Sequence, residues 1–331
     1  MTIESTLLAQ LRTLATHPAA RGLADDAAVL GNLVLTHDTI VEGVHYLPAD
    51  PPRSVGWKLA AVNLSDLAAK GAKGVGCLLS LTVAPAQAEA SGSGSATPPE
   101  VPASAGTAWE EEFLAGLHEA CEHFGLPLLG GDTVALPPGA PRVLGLTAIG
   151  KAGSTVPSRG GGQPGDQLWV IGTIGDAAAG LRQLRASPDS DGPLVDAYRC
   201  PAPLLAEGQA LAPHVTAMMD VSDGLLLDAR RLAEASGCGL RVDLSALPLS
   251  PSFRADHGAD RAARLFAATG GDDYALLAAL PPGADPLTIL KGTCVNITAV
   301  GELTEGGAFV LADDLGPVPL PERLGYEHDL P

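Results

Sequence analysis

The chain has 331 residues, of which 46% are hydrophobic and 18% charged, and its formal net charge is −18; that is enough for two domains with real cores. The acidic balance excludes a general nucleic-acid binder, because a phosphate backbone is held by basic surface and the Lys and Arg residues here form no run. No apolar run approaches the ~18 residues of a membrane span, the N-terminus carries no basic segment followed by an apolar one, and Cys77, Cys121, Cys200, Cys238 and Cys294 include no Cys-x-x-Cys pair, which predicts a reduced, cytoplasmic protein away from membranes.

Leu7, Leu8, Leu11 and Leu14 recur at helical spacing and predict an amphipathic helix over 3–16. Asp25-Asp26 leads to a turn at Gly31-Asn32, a strand from Leu33 to Thr36 ending on His37-Asp38, and a further strand or bulge over 41–46. Ser54 is expected to cap a helix running to Lys70, with Val55, Leu59, Val62 and Leu67 as its apolar stripe and Gly71 as its stop. A buried strand follows over 76–83. Residues 84–108 are Ala, Ser, Gly, Pro and Gln with almost no large apolar side chain, a low-complexity loop that cannot bury enough to order itself. An amphipathic helix over 109–124, a short strand from Leu126 into Gly130-Gly131-Asp132, and a strand over 142–149 complete a first α+β unit, residues 1–150.

The glycine-rich stretch Arg159–Asp166 reads as an inter-domain turn, and Gln167 opens a second α+β unit, residues 151–331. Its strand over 167–171 runs through Gly175-Asp176 into an Ala-rich helix. Ala217–Val221, then Ser222-Asp223-Gly224, then Leu225-Leu226-Leu227 read as a strand entering a helix whose N-terminus holds the polar residues, where Ser222 or Asp223 would serve as N-cap. Free N–H groups there favour anions such as phosphates, and neighbouring aspartates can carry the metals phosphates bring. Strands over 239–244 and 274–280 flank a helix near 259–268.

Two phosphate motifs match by letter and fail by context. Gly145–Ala152 nearly spells a P-loop, but Ala152 replaces the magnesium-binding Ser or Thr and the stretch reads as a strand. Gly160–Gly165 satisfies G-x-G-x-x-G yet precedes a strand, with Pro164 spoiling a helix start. The recurrent aspartates are more informative: Asp26, Asp38, Asp66, Asp132 and Asp220 each stand at the edge of an apolar run. Were they to converge, each pair at ~4 Å would repel by roughly 4 kcal/mol at an effective dielectric near 20. Such a cluster implies divalent cations, and oxygen ligands without His or Cys pairs favour magnesium completed by substrate phosphates; the alternative is a set of separate solvated caps.

Six stretches in order carry a resemblance: Gly22 with Asp25-Asp26-Ala27-Ala28; Thr36-His37-Asp38-Thr39 with Val41, Gly43 and His45; Ala61–Ala69; Gly130-Gly131-Asp132-Thr133; Asp220 with Ser222-Asp223-Gly224; and Gly270-Gly271-Asp272-Asp273-Tyr274. Their order and spacing resemble thiamine-monophosphate kinase across nearly the whole chain, a family grouped with ATP-using aminoimidazole ribonucleotide synthetases and selenophosphate synthetases. The resemblance implies a two-domain α+β architecture, a first domain that binds ATP and metal and dimerises through its sheet, and ATP-dependent conversion of thiamine monophosphate to thiamine diphosphate. It implies that Asp26, Asp38, Asp66, Asp132, Asp220 and Asp223 hold several magnesium ions, with Thr36 and His37 helping around Asp38, and that Asp38, Asp66 and Asp132 carry the chemistry. Gly131, Asp132, Arg159 and Ser222 would meet ATP, and His45, Asp272 and Tyr326 the thiamine phosphate. His37 stands where the family often has a small residue, so its metal contact is expected through the backbone carbonyl; Asp272 replaces a common Glu and reaches one methylene less far. The rival readings are a synthetase of the same superfamily, although residues 1–30 lack the Cys a selenophosphate synthetase would use, and a non-catalytic acidic metal-binding protein.

Overall fold

Period-two alternation places Val34, Thr36 and Ile40 on one face of strand β2 (Leu33–Val41). That face is covered by a helix in the structure, a computed structural model that describes residues 3–84 and 108–327, with the side chains of 3–5 left aside; all but the ends of the low-complexity segment 84–108 lies outside the described residues. The chain starts with helix α1 (Ile3–Leu14), a short 3-10 turn and strand β1 (Ala28–Leu30), which forms a hairpin with β2. Helix α2 (Pro52–Ala69), β3 (Lys73–Val83), α3 (Ala108–Phe124), β4 (Leu128–Ala135) and β5 (Val143–Lys151) complete a sheet of order β1-β2-β5-β3-β4, in which β3 and β4 are parallel. Gly145–Ala152 is therefore mostly strand, and no P-loop.

Four local expectations change. β2 does not end on His37-Asp38 but continues to Val41, so Asp38 is a mid-strand residue; residues 41–46 form a turn closed by Gly43 N–H donating to Tyr46 O. Ser54 does not cap α2: the helix starts at Pro52 after Pro51, and the Ser54 hydroxyl donates back to Pro51 O at 2.7 Å. Pro52 needs no cap acceptor for its own missing N–H, which is why proline opens helices. α2 carries no narrow apolar stripe either; 13 of its residues are buried, on every side. Asp132 likewise lies inside β4 and does not end it. α3 crosses α2 so closely that a Cβ on Gly116 would sit 1.8 Å from Arg53 O, an approach only glycine permits.

The second unit runs β6 (Gln167–Ile171), α4 (Asp176–Ala186), α5 (Pro193–Arg199), α6 (Leu205–Leu211), β7 (Ala217–Val221), α7 (Leu225–Ser236), β8 (Gly239–Asp243), α8 (Pro251–His257), α9 (Arg261–Thr269), β9 (Ala275–Leu280), α10 (Pro286–Ile289), β10 (Ile297–Thr304), β11 (Phe309–Asp313) and β12 (Gly316–Val318). Its sheet has the order β12-β11-β8-β10-β6-β9-β7. β7 and β9 are buried along their whole length, as their unbroken apolar runs require. On one face Ala217, Met219, Leu277 and Ala279 join the core under α7 and α9. On the other, Met218, Leu276 and Ala278 pack with Ala68 and Ala69 of α2, so α2 is shared between the units. The result is a two-unit α+β architecture.

Candidate active site

α2 delivers Asp66 to a cleft of about 510 Å³ between the two units. β2 contributes Asp38, the segment before β1 contributes Asp25 and Asp26, and the end of β7 contributes Asp220, with Ser222 and Asp223 in the turn behind it. Carboxylate oxygens of Asp26, Asp66 and Asp220 come within 4.8 Å of one another. The expected convergence therefore holds for these three, with Asp38 and Asp223 on the same cleft wall. Thr36 also belongs to the cluster: its buried hydroxyl donates to Asp66 Oδ2. Ser65 Oγ donates to Asp220 Oδ2 at 2.7 Å, and Asn63 Oδ1 accepts the Asp38 N–H at 3.0 Å.

Neither Ser222 nor Asp223 caps α7. Its N-cap is Gly224, at φ 118°, and the polarity is reversed: the Asp223 N–H donates to the buried Asp228 carboxylate at 3.0 Å. Both side chains of the turn line the cleft, that of Asp223 while accepting a hydrogen bond from Arg231, which also meets Asp228.

Burial is the first cause of the unusual acidities. It pushes Asp38 up to about 6, aided by the charges of Asp26 and Asp223 against a lowering effect of His37. Burial also pushes Asp220 up to about 8, and Asp66 well above the carboxylate range, where Asp38, Asp220 and Asp26 add like-charge repulsion. Asp26 goes the other way. Burial would raise it, but the Lys70 ammonium and the Arg159 guanidinium outweigh that and hold it below its ordinary value. Lys70 Nζ, fully buried, lies 2.6 Å from Asp26 Oδ2 and also meets Asp25. That 2.6 Å contact is an ion pair with poor hydrogen-bond alignment, because Asp26 Oδ2 has no hydrogen-bond partner among the described residues. Three buried carboxylates whose oxygens come within 4.8 Å of one another, with no nitrogen or sulfur ligand among them, fit a hard cation such as magnesium.

Three predicted residues stand elsewhere, Asp132, Gly131 and the ring of His37. Asp132 is exposed on edge strand β4, opposite Ser80 of β3, itself opposite Gly145 of β5 and Thr39 of β2. Three strand spacings, roughly 14 Å, separate it from the cleft wall, and its Oδ1 accepts the Thr133 N–H at 2.9 Å. Gly131 lies beside it, so within one chain neither reaches the cluster. The His37 ring is also directed away, with Nδ1 2.9 Å from Thr147 Oγ1 on the opposite face of the sheet, which leaves only its backbone on the Asp38 side.

The same cleft is lined by the apolar side chains of Ile40, Val44, Ala177, Ala178 and Leu181 and by the polar residues His45, Asp272 and Tyr326; the Asp272 and Tyr326 N–H groups donate to Ser222 O and Asp223 O, so these two adjoin the turn after β7. His45 Nδ1 accepts the Val41 N–H at 3.1 Å, which places the neutral ring's proton on Nε2. Arg159 lies beside the carboxylates, its Nε on Asp26. Sequence reasoning missed Lys58, Lys70 and the cleft residue Arg185. The first two had a signal: they are two of only five lysines in the chain, and each interrupts a helix or its end where every neighbour is apolar.

With this geometry the comparisons agree. Residues 24–152 match the family described as AIR synthase related protein, N-terminal domain, and residues 163–314 its C-terminal domain. The thiamine-monophosphate kinase of Caulobacter vibrioides is 39% identical over 324 residues, covering 94% of this chain and 86% of that one. The structure of thiamine-monophosphate kinase from Stenotrophomonas maltophilia K279a has a TM-score of 0.72 at 33% identity, covering 91% of this chain and 93% of that one. A structure described as AaThiL complexed with AMPPCP and TMP has a TM-score of 0.78 at 26% identity, covering 97% and 96%.

Proposed function

The chain belongs to the AIR synthase related family, among its thiamine-monophosphate kinases, and on that premise we propose that it transfers the γ-phosphoryl group of ATP to thiamine monophosphate. The observation that carries the reading is one cleft that holds the carboxylates of Asp26, Asp66 and Asp220 together and is also lined by apolar side chains with His45, Asp272 and Tyr326. A volume of about 510 Å³ suits a ligand pocket of that size class.

Asp26, Asp38, Asp66, Asp220 and Asp223 would hold magnesium ions with Thr36 steering Asp66, and Arg159 and Ser222 would meet the nucleotide. Bound there, magnesium would neutralise the phosphate oxygens of donor and acceptor. The acceptor oxygen is already ionised near neutral pH, since a phosphate monoester's second pKa is around 6, so the protein need supply no general base. That oxygen bonds to the γ-phosphorus as the bond from the γ-phosphorus to the β-bridging oxygen breaks, leaving ADP and thiamine diphosphate. The chain's own work is positioning: Arg159 offers a forked donor, and the apolar wall with the Tyr326 face and the Asp272 carboxylate suits a cationic thiazolium.

We further assign Asp132 and Gly131 to a homodimer. Asp132, with Gly131 next to it in β4, shares the helix-free face of the first sheet with His37, Thr39 and the exposed Leu78 and Val134; pairing of two such faces would cover this apolar surface and bring Asp132 of one subunit toward the other's nucleotide. The reaction belongs in the cytoplasm, where both substrates are made available to a reduced protein.

The test is an acceptor panel. Given ATP and magnesium with thiamine, thiamine monophosphate or hydroxymethylpyrimidine phosphate, only thiamine monophosphate is expected to be converted, to the diphosphate, and excess chelator should abolish ATP binding. Phosphorylation of free thiamine at a comparable rate, or ATP affinity undiminished by chelator, would refute the assignment.

A further inference from the structure

Lysine is seldom buried unless each of its three donors has somewhere to go. Lys58, in the middle of α2, is 2% exposed, and all of its surroundings answer that need. Its Nζ donates to His45 O at 3.0 Å and to Asp272 Oδ2 at 2.8 Å, and it stands 4.1 Å from the centre of the Tyr198 ring, whose face is the third partner. The two hydrogen-bonded residues come from different units, His45 from the turn after β2 and Asp272 from the loop before β9, and both line the cleft.

The Asp272 carboxylate is gripped from its other side as well. Tyr274 Oη donates to Asp272 Oδ1 at 2.9 Å. The backbone of this loop is held in a conformation that side chains avoid, with φ of 70° at Asp272 and 50° at Tyr274. Asp272 N–H donates to Ser222 O at 2.7 Å and Tyr274 N–H to Val221 O at 2.8 Å. Strain of this kind persists only where neighbours over-determine it. Here the neighbours fix one carboxylate in one orientation while leaving its side chain 27% exposed to the cleft.

We propose that Lys58 and Tyr274 are positioning residues for acceptor recognition, setting Asp272 and the His45 turn at a fixed separation so that the cleft closes around the acceptor's organic cation and not around its phosphate. Their side-chain hydrogen bonds go to Asp272 and to His45 O, although the Tyr274 backbone is tied to Val221 beside Asp220. The ammonium also cancels the carboxylate's charge in advance, so Asp272 recognises the acceptor through placed lone pairs more than through net attraction, and its contribution depends on geometry. This inference rests on the proposed kinase reading.

Steady-state kinetics of the full chain test it. Lys58→Met keeps the volume and removes the donors; Tyr274→Phe removes one hydroxyl. The KM for thiamine monophosphate is expected to rise about tenfold or more in Lys58→Met and several-fold in Tyr274→Phe, with the KM for ATP within twofold of wild type in both. In the pair Lys58→Met with Asp272→Asn, the acceptor KM should be no worse than in Asp272→Asn alone, a non-additivity that general loosening of the fold would not produce. Where Lys58→Met does not fold, Tyr274→Phe decides by the same split. Unchanged acceptor KM in the folded variants, or equal rises for both substrates, overturns the inference while the kinase reading stands. A wild-type chain that leaves thiamine monophosphate unconverted overturns both.

Discussion

Asn in place of Asp66 is expected to lower turnover by at least about 10²-fold and, in the same protein, to raise the melting temperature measured in chelator. The two effects have one origin. Asp66 is pressed by burial and by the charges of Asp38, Asp220 and Asp26, all of which raise its pKa. Without a cation the buried Asp66 must either keep a proton or bear that repulsion, and asparagine does neither; its amide oxygen still accepts from Thr36, so the local hydrogen bond survives. With magnesium and nucleotide present the balance reverses, since a charged ligand to the cation is gone and with it a share of the stabilisation of the transferring phosphoryl group. Thermal melts with and without magnesium, beside kcat, check this. A variant with near-wild-type kcat, or one that melts lower than wild type in chelator, would remove Asp66 from the proposed role.

The metal-free protein should lose stability as pH rises from about 5 to about 8, opposite to the usual behaviour of salt-bridged carboxylates. Burial raises Asp38 to about 6, Asp228 to about 7 and Asp220 to about 8 from an ordinary 3.8. Between 3.8 and those values the folded chain holds protons that the unfolded chain has released, so unfolding becomes easier with each increment of pH. Asp26, held low by Lys70 and Arg159 against its burial, acts in the other direction, but only below 3.8. At about 1.4 kcal/mol per pK unit the summed effect is several kcal/mol. Magnesium competes with those protons, so its stabilising shift should be much larger at pH 8 than at pH 5.5. Melting temperatures in chelator that stay flat or climb across this range would show that the carboxylates are not confined together as described.

Much of this was legible from residue order. The strand entering α7 and the sheet strands either side of the glycine-rich connection follow from apolar periodicity and from polar residues interrupting it, whereas a shared site for the aspartates is implied by the family resemblance and not by periodicity. What misled was treating polarity as the end of a strand. Thr36 and Asp38 occupy inward positions of β2 in strict alternation with outward His37 and Thr39; the period persists and only the chemistry of the inward face changes, because that face has passed from core to cleft. Asp132 misled differently. Its neighbours Gly130 and Gly131 repeat a local pattern, but a local pattern cannot say that two strands, β3 and β5, intervene between β4 and β2. Lys58 and Lys70 were overlooked because a lysine in a helix is ordinarily a solvated one, and only the packing of both units around α2 shows that these are not.

That shared helix has a consequence for how the molecule comes apart. Ala68 and Ala69 belong to the core beneath β7 and β9, a Cβ on Gly208 of α6 would lie 2.0 Å from Ala68 O, and Lys70 Nζ donates to Met218 O at 3.1 Å. The second half of the chain does not enclose its own interior, because it borrows one side of α2 from the first, and that side is left bare on the first half when the two part. Heating should therefore produce one calorimetric transition with matching calorimetric and van't Hoff enthalpies, and a fragment ending near residue 152 should expose the helix surface that the second half covers and self-associate instead of folding as a free monomer.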